Sequence, residues 1–135
     1  MMEGFSFKTL PDIRTAERYI VWWRMAMVFE GQEHLPTYHG RTRDLSFVGT
    51  GMLTNVNLMT RHPVIILLAP PPLSTKERRK IIEIRSKQVI AVYSGEAQCF
   101  RLAFAFLEFK NDGLDYLRER LKNKYTRMEA TKFLN

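Results

Sequence analysis

The 135-residue, 15.9 kDa chain is 45% apolar and 26% charged. That balance excludes a disordered tail and fits one domain able to bury roughly 70% of its unfolded surface. With 21 Lys and Arg against 14 acids, the chain carries a net charge of +7 and a pI near 9.8, which favours an anionic partner (nucleic acid, a nucleotide, a membrane surface or an acidic protein) without choosing among them. Its single cysteine, Cys99, excludes an internal disulfide and fits a reducing compartment. The opening MMEGFSFKTLPD lacks the basic start and apolar run of a signal peptide. The longest apolar run, residues 64–73, is too short and too proline-rich to cross a bilayer. A soluble cytoplasmic protein without membrane insertion is expected.

Residues 1–11 read as an N-terminal arm closed by Pro11, and Asp12 as the cap of one helical turn over Ile13–Arg18. The aromatic and branched stretch Tyr19–Phe29 predicts a strand, with Trp23, Met25, Met27 and Phe29 on one face and Arg24, Ala26 and Val28 on the other. Tyr38–Leu45 predicts a second strand beyond a turn around Gly31. Gly51–Leu58 predicts a third, in which Met52, Thr54, Val56 and Leu58 alternate with Leu53, Asn55 and Asn57. Val64–Ala69 is a short fourth strand stopped by Pro70–Pro72, and residues 74–80, STKERRK, form a solvated basic loop. Ile81–Tyr93 and Cys99–Phe109 predict two more strands joined around Ser94-Gly95-Glu96. The period then changes: Leu114, Leu117, Leu121 and Tyr125 fall at helical spacing behind a cap at Asn111 or Asp112. Lys and Arg crowd the later turns, where they suit the helix dipole.

Antiparallel strands this short and closely spaced close into a small barrel, which also removes exposed edges. The expected fold is mainly β, a six-stranded antiparallel barrel with one C-terminal helix. It forms a single domain comprising an arm (1–11), a barrel region (12–110) and a helix with its tail (111–135).

No enzyme constellation stands out. His34, His39 and His62 pair with neither Cys99 nor carboxylates at metal-ligand spacing, and read as exposed turn residues. Cys99 within a strand reads as a small core residue rather than a nucleophile. Phosphate-loop and nucleophile-elbow patterns are absent. No catalysis, metal or cofactor is expected. In the pair Trp22-Trp23, adjacent strand residues face opposite ways, so one is core and the other rim or surface.

Binding is better represented. Arg14 and Arg18, in RTAER, stand four apart, and guanidinium groups grip phosphate and fork onto the O6/N7 edge of guanine. In RTRDLSFVGTG, Asp44, Ser46 and Gly49 are ordinary turn formers and equally good partners for a polar guest. Together, Arg14-Thr-Ala-Glu-Arg18 and Asp44-Leu-Ser46-Phe-Val-Gly49 resemble the paired RxxxR and [D/N]xSxxG motifs of the PilZ domain family, in the same order and 26 residues apart (44 − 18). VIAVY at 89–93 and FRLAFAF at 100–106 are similar to that family's last barrel hairpin, so the likeness runs from about Asp12 to Leu121.

The resemblance implies a six-stranded barrel that binds cyclic di-GMP and passes the signal to an effector protein, in bacterial motility or biofilm regulation. It assigns Arg14 and Arg18 to an N-terminal loop folding over the ligand. Asp44 and Ser46 would touch guanine and phosphate, and Gly49 would give backbone access. Tyr93 stands near a position where the family often has a contact residue. The chain departs from the family pattern in Ala103, where glycine is common, and in the longer, more basic PPPLSTKERRK connection. It also has Ile13 where a basic residue can precede the first arginine, which by analogy leans towards one bound ligand molecule rather than an intercalated pair. Two rival readings are a basic β-barrel binding single-stranded nucleic acid and a PilZ-like protein-interaction adaptor needing no ligand; the first reading expects no DNA.

Overall fold

The computed structural model describes residues 17–122 apart from 33 and 73. Six strands, β1 (Arg24–Phe29), β2 (Tyr38–Leu45), β3 (Gly49–Thr54), β4 (Val64–Ala69), β5 (Ile82–Ser94) and β6 (Cys99–Phe109), precede one helix, α1 (Gly113–Lys122). The strands form a closed barrel in the order β1-β2-β3-β6-β5-β4, and every neighbouring pair is antiparallel. Closure comes from β1 against β4, in continuous register from Arg24↔Ala69 to Phe29↔Val64. No edge strand is left along that seam.

Alternation fills the interior. Met25 and Met27 of β1, Met52 of β3, Val64, Ile66 and Leu68 of β4, Ile82 and Ile84 of β5, and Leu102 and Phe104 of β6 are all buried. Leu117 and Leu121 of α1 join the same core, as their spacing of four places them on one helix face. The helix begins against β5: a Cβ on Gly113 would stand 3.2 Å from Ile82 Cγ2, so glycine permits the close approach. Just before it, Asn111 adopts φ 54°, a left-handed turn that Asn tolerates better than most residues.

β2, β4 and β6 have the predicted bounds, whereas two strands differ in length. β1 starts at Arg24 rather than Tyr19. Residues 19–23 have left β4 and follow β2 alone, through a lone bridge of Tyr19 with Leu45 and a side-chain clasp. The buried Thr42 Oγ1 accepts from Trp23 N (2.9 Å) and donates to Val21 O (2.7 Å). β3 runs Gly49–Thr54 instead of Gly51–Leu58: its last pairings are Leu53↔Arg41 and Thr54↔Phe100, and beyond them β2 continues to Tyr38 against β1 alone.

The expected helical turn at 13–18 lies largely outside the described residues, and Glu17 and Arg18, its described part, are not helical. Cys99 is half-buried at the mouth of the β5–β6 hairpin rather than in the core. His34, His39 and His62 are exposed, with His39 inside β2 rather than in a turn. Of the tryptophans, Trp23 is 2% exposed and Trp22 61%.

Candidate functional site

The site begins with a β-bulge. Thr42 faces Met52 in the core, and strict alternation would put Asp44 on that same inner face. The register between β2 and β3 instead shifts between Thr42 and Asp44, so Asp44 stands opposite Gly51 and on the outer surface of the barrel. The same shift sets Arg43 beside it.

The Asp44 carboxylate is then held from three directions. Gly51 N donates to Oδ1 at 3.1 Å; Arg18 Nη1 lies 3.5 Å from Oδ1, and Arg43 Nη1 3.6 Å from Oδ2. Side-chain exposure is 6% for Asp44, 16% for Arg18 and 42% for Arg43. A charge this deep is tolerable only when paired and hydrogen-bonded. An ionised carboxylate has about four lone-pair sites, and one short bond leaves it able to accept more. Gly51 is needed here, since a Cβ would sit 3.0 Å from Asp44 Oδ1.

Arg18 reaches the carboxylate because the next residue is pinned. Tyr19 N donates to Leu45 O (2.8 Å) and Leu45 N to Tyr19 O (3.0 Å). The Tyr19 ring also meets Phe47 at 6.3 Å, and Arg118 of α1 lies over the opposite partner of that contact, 5.8 Å from the Phe47 ring centroid. The segment leading into β1, the turn and the helix therefore meet at one place.

Ser46 and Gly49 form the turn itself. Ser46 Oγ accepts from Val48 N and Gly49 N, both at 3.1 Å, and donates to Gly49 O at 3.3 Å; Ser46 N also donates to Gly49 O at 2.9 Å. Ser46 is fully buried, so its hydroxyl is a turn clasp in this structure. Beyond the turn, Gly49 pairs with Ala105 and Gly51 with Ala103. These residues point outward, between the inward Thr50, Met52, Leu102 and Phe104. Four small residues make a low platform beside Asp44, with Ala103 and Ala105 half-buried and Gly49 and Gly51 buried.

Arg18, Asp44, Ser46 and Gly49 are thus brought together, while Arg14 lies outside the described residues. Tyr93 is not in this cluster. Register places it opposite Phe100, which is opposite Thr54, three residues along from the Asp44–Gly51–Ala103–Ile90 row. That is about 10 Å along the strands, and its ring packs edge-on to Phe100 at 5.4 Å. The contributions of Thr42, Phe47, Gly51 and Arg118 carry no local sequence signal, because each depends on the bulge or on the helix docking. Among the described residues no cluster of His, Cys, Asp or Glu could hold a metal, and no helix is long and apolar enough to cross a membrane.

No protein-family model matches the sequence, and no curated protein matches it significantly. Solved structures do. The inhibitor of motility MotI/DgrA of Bacillus subtilis superposes with a TM-score of 0.61 at 11% identity, over 84% of this chain and 54% of that one. The chain thus spans about half the length of that protein. The PilZ domain of YcgR from Escherichia coli, solved with c-di-GMP, superposes with a TM-score of 0.53 at 16% identity, over 82% of this chain and 90% of that one. With a closed six-stranded antiparallel barrel, a C-terminal helix and this likeness, the chain has the fold of a PilZ-like domain.

Proposed function

We propose that the protein is a non-enzymatic cyclic di-GMP receptor that signals to a partner protein. One observation carries the reading: a nearly buried carboxylate, Asp44, sits between Arg18 and Arg43 at the edge of a platform of small residues. A site for a bare anion has no use for a carboxylate. Guanine does, because Asp44 can accept from N1–H and N2–H₂ while arginines take O6, N7 and phosphate. Arg14 and Arg18 supply those groups from the N-terminal side. Ser46 and Gly49 act by holding the turn that presents Asp44, and Tyr93 lies too far along β5 to share the same guanine.

The c-di-GMP bound in the YcgR structure supports this choice of ligand, and the motility role in the name of MotI/DgrA supports a motility- or biofilm-linked process. Ligand bridging the N-terminal segment and the barrel would favour one arrangement of that segment, to the extent of its differential affinity for it. Tyr19, Phe47 and Arg118 offer a route from there to α1.

Isothermal titration with cyclic di-GMP tests the assignment, with cyclic di-AMP and linear pGpG as controls. Arg18→Ala and Asp44→Ala should each weaken binding by about 1.5–3 kcal/mol through lost charge-assisted bonds. Undiminished affinity in both variants, or equal affinity for the adenine analogue, would sink the assignment.

A further inference from the structure

The outer face of the barrel carries a second charged feature that the nucleotide site does not use. Register aligns Arg24 of β1, Arg41 of β2, Leu53 of β3 and Arg101 of β6 in one row across four neighbouring strands. All four point outward, since Trp23, Met25, Thr42, Met52 and Leu102 beside them are buried. At about 4.8 Å per strand, the row spans roughly 14 Å. It lies two residues along β3 from Gly51, next to the nucleotide platform but separate from it.

Among the described residues its charge is uncompensated. Arg24 and Arg41 are direct cross-strand partners, a like-charge juxtaposition that destabilises a sheet. No carboxylate among the described residues lies within ion-pair distance of Arg24, Arg41, Arg79 or Arg101. Arg41 makes only a long 3.5 Å bond to the Trp22 carbonyl. Arg101 Nε is buried without a hydrogen-bond partner. Arg79, from the basic loop, shares a depression with Trp22, Arg24, Arg41 and Pro71 at the end of the row.

We infer that this row is a docking surface for an acidic, extended segment of a partner protein. Carboxylates on alternate residues of an extended chain lie about 7 Å apart on one side, close enough to reach successive arginines, and Leu53 offers an apolar contact midway. Arginine also suits bidentate recognition of carboxylates. Single-stranded nucleic acid is the weaker fit. It needs a succession of stacking platforms, and the row itself has none: the exposed aromatics Trp22 and Tyr93 flank its two ends.

The test contains no nucleotide, so it stands or falls separately from the cyclic di-GMP assignment. Fluorescence anisotropy would follow a labelled eight-residue peptide with Glu at alternate positions and Leu between, added to the full chain. Arg24→Gln/Arg41→Gln/Arg101→Gln should weaken binding about ten-fold or more, and the surface variant Arg24→Gln alone about three-fold. A control removing the same charge elsewhere, Arg61→Gln/Lys76→Gln/Lys122→Gln, should change it less than about two-fold. Circular dichroism would establish that each variant folds, with Arg24→Gln deciding if the triple variant does not. Absence of peptide binding, or equal losses in the two triple variants, would overturn the inference. So would tighter binding of a single-stranded oligonucleotide of matched charge that is lost in Trp22→Ala.

Discussion

Ser46 Oγ accepts two backbone N–H groups and donates to a carbonyl, all within four residues. Ser46→Ala would strand the N–H groups of Val48 and Gly49 in a buried turn. We expect a loss of about 1–3 kcal/mol, read as a lower urea midpoint at unchanged m-value; wild-type stability in this variant would refute the clasp. Asp44 shows the limit of reading single residues. Its identity and its spacing from Ser46 mark it as a polar contact in the sequence, but its outward direction follows from the bulge after Thr42. Trp22 and Trp23 behave oppositely: alternation alone separates them, and the structure places one outside and one in the core.

At the scale of elements, α1 is tied to the basic loop at both ends. Arg120, 3% exposed in its side chain, pairs with Glu77 at 3.2 Å and lies over the Tyr116 ring. Lys80 Nζ donates to Asp112 Oδ2 at 2.7 Å just before the first turn. That hydrogen bond from Lys80 holds the Asp112 carboxyl below the ordinary aspartate value of 3.8. A carboxyl depressed in the folded state adds stability above its unfolded value, and that contribution disappears as pH falls through the folded one. Carbon-13 NMR should therefore give Asp112 a midpoint under 3.8, moving back up in Lys80→Ala. The same midpoint in both proteins would exclude Lys80 as the cause. The helix was legible from its period of Leu residues, and its start from Asn111 and Asp112. The partners of Arg118 and Arg120 were not, since Phe47 and Glu77 lie 71 and 43 positions away (118 − 47, 120 − 77).

For the molecule as a whole, barrel closure concentrates stability in a few fully buried side chains. Phe104 is the largest of these, and it pairs with Thr50 on one side and Gln88 on the other. Phe104→Ala should cost about 3–5 kcal/mol through lost burial and the cavity left behind, seen as one cooperative transition at lower denaturant. A loss under about 1 kcal/mol would mean that the barrel does not act as one packed unit. The sequence by itself determined six strands, a closing helix, that two adjacent tryptophans face opposite ways, and the pairing of an arginine motif with an Asp-Ser-Gly motif. Periods of two and of 3.6 are local properties of the chain, so composition and spacing display them directly. Only the tertiary structure decided where β1 and β3 end, that Asp44 faces out beside Arg43, and that Arg24, Arg41 and Arg101 form one row. Those facts depend on register between distant strands, where a one-residue shift exchanges the inner and outer faces.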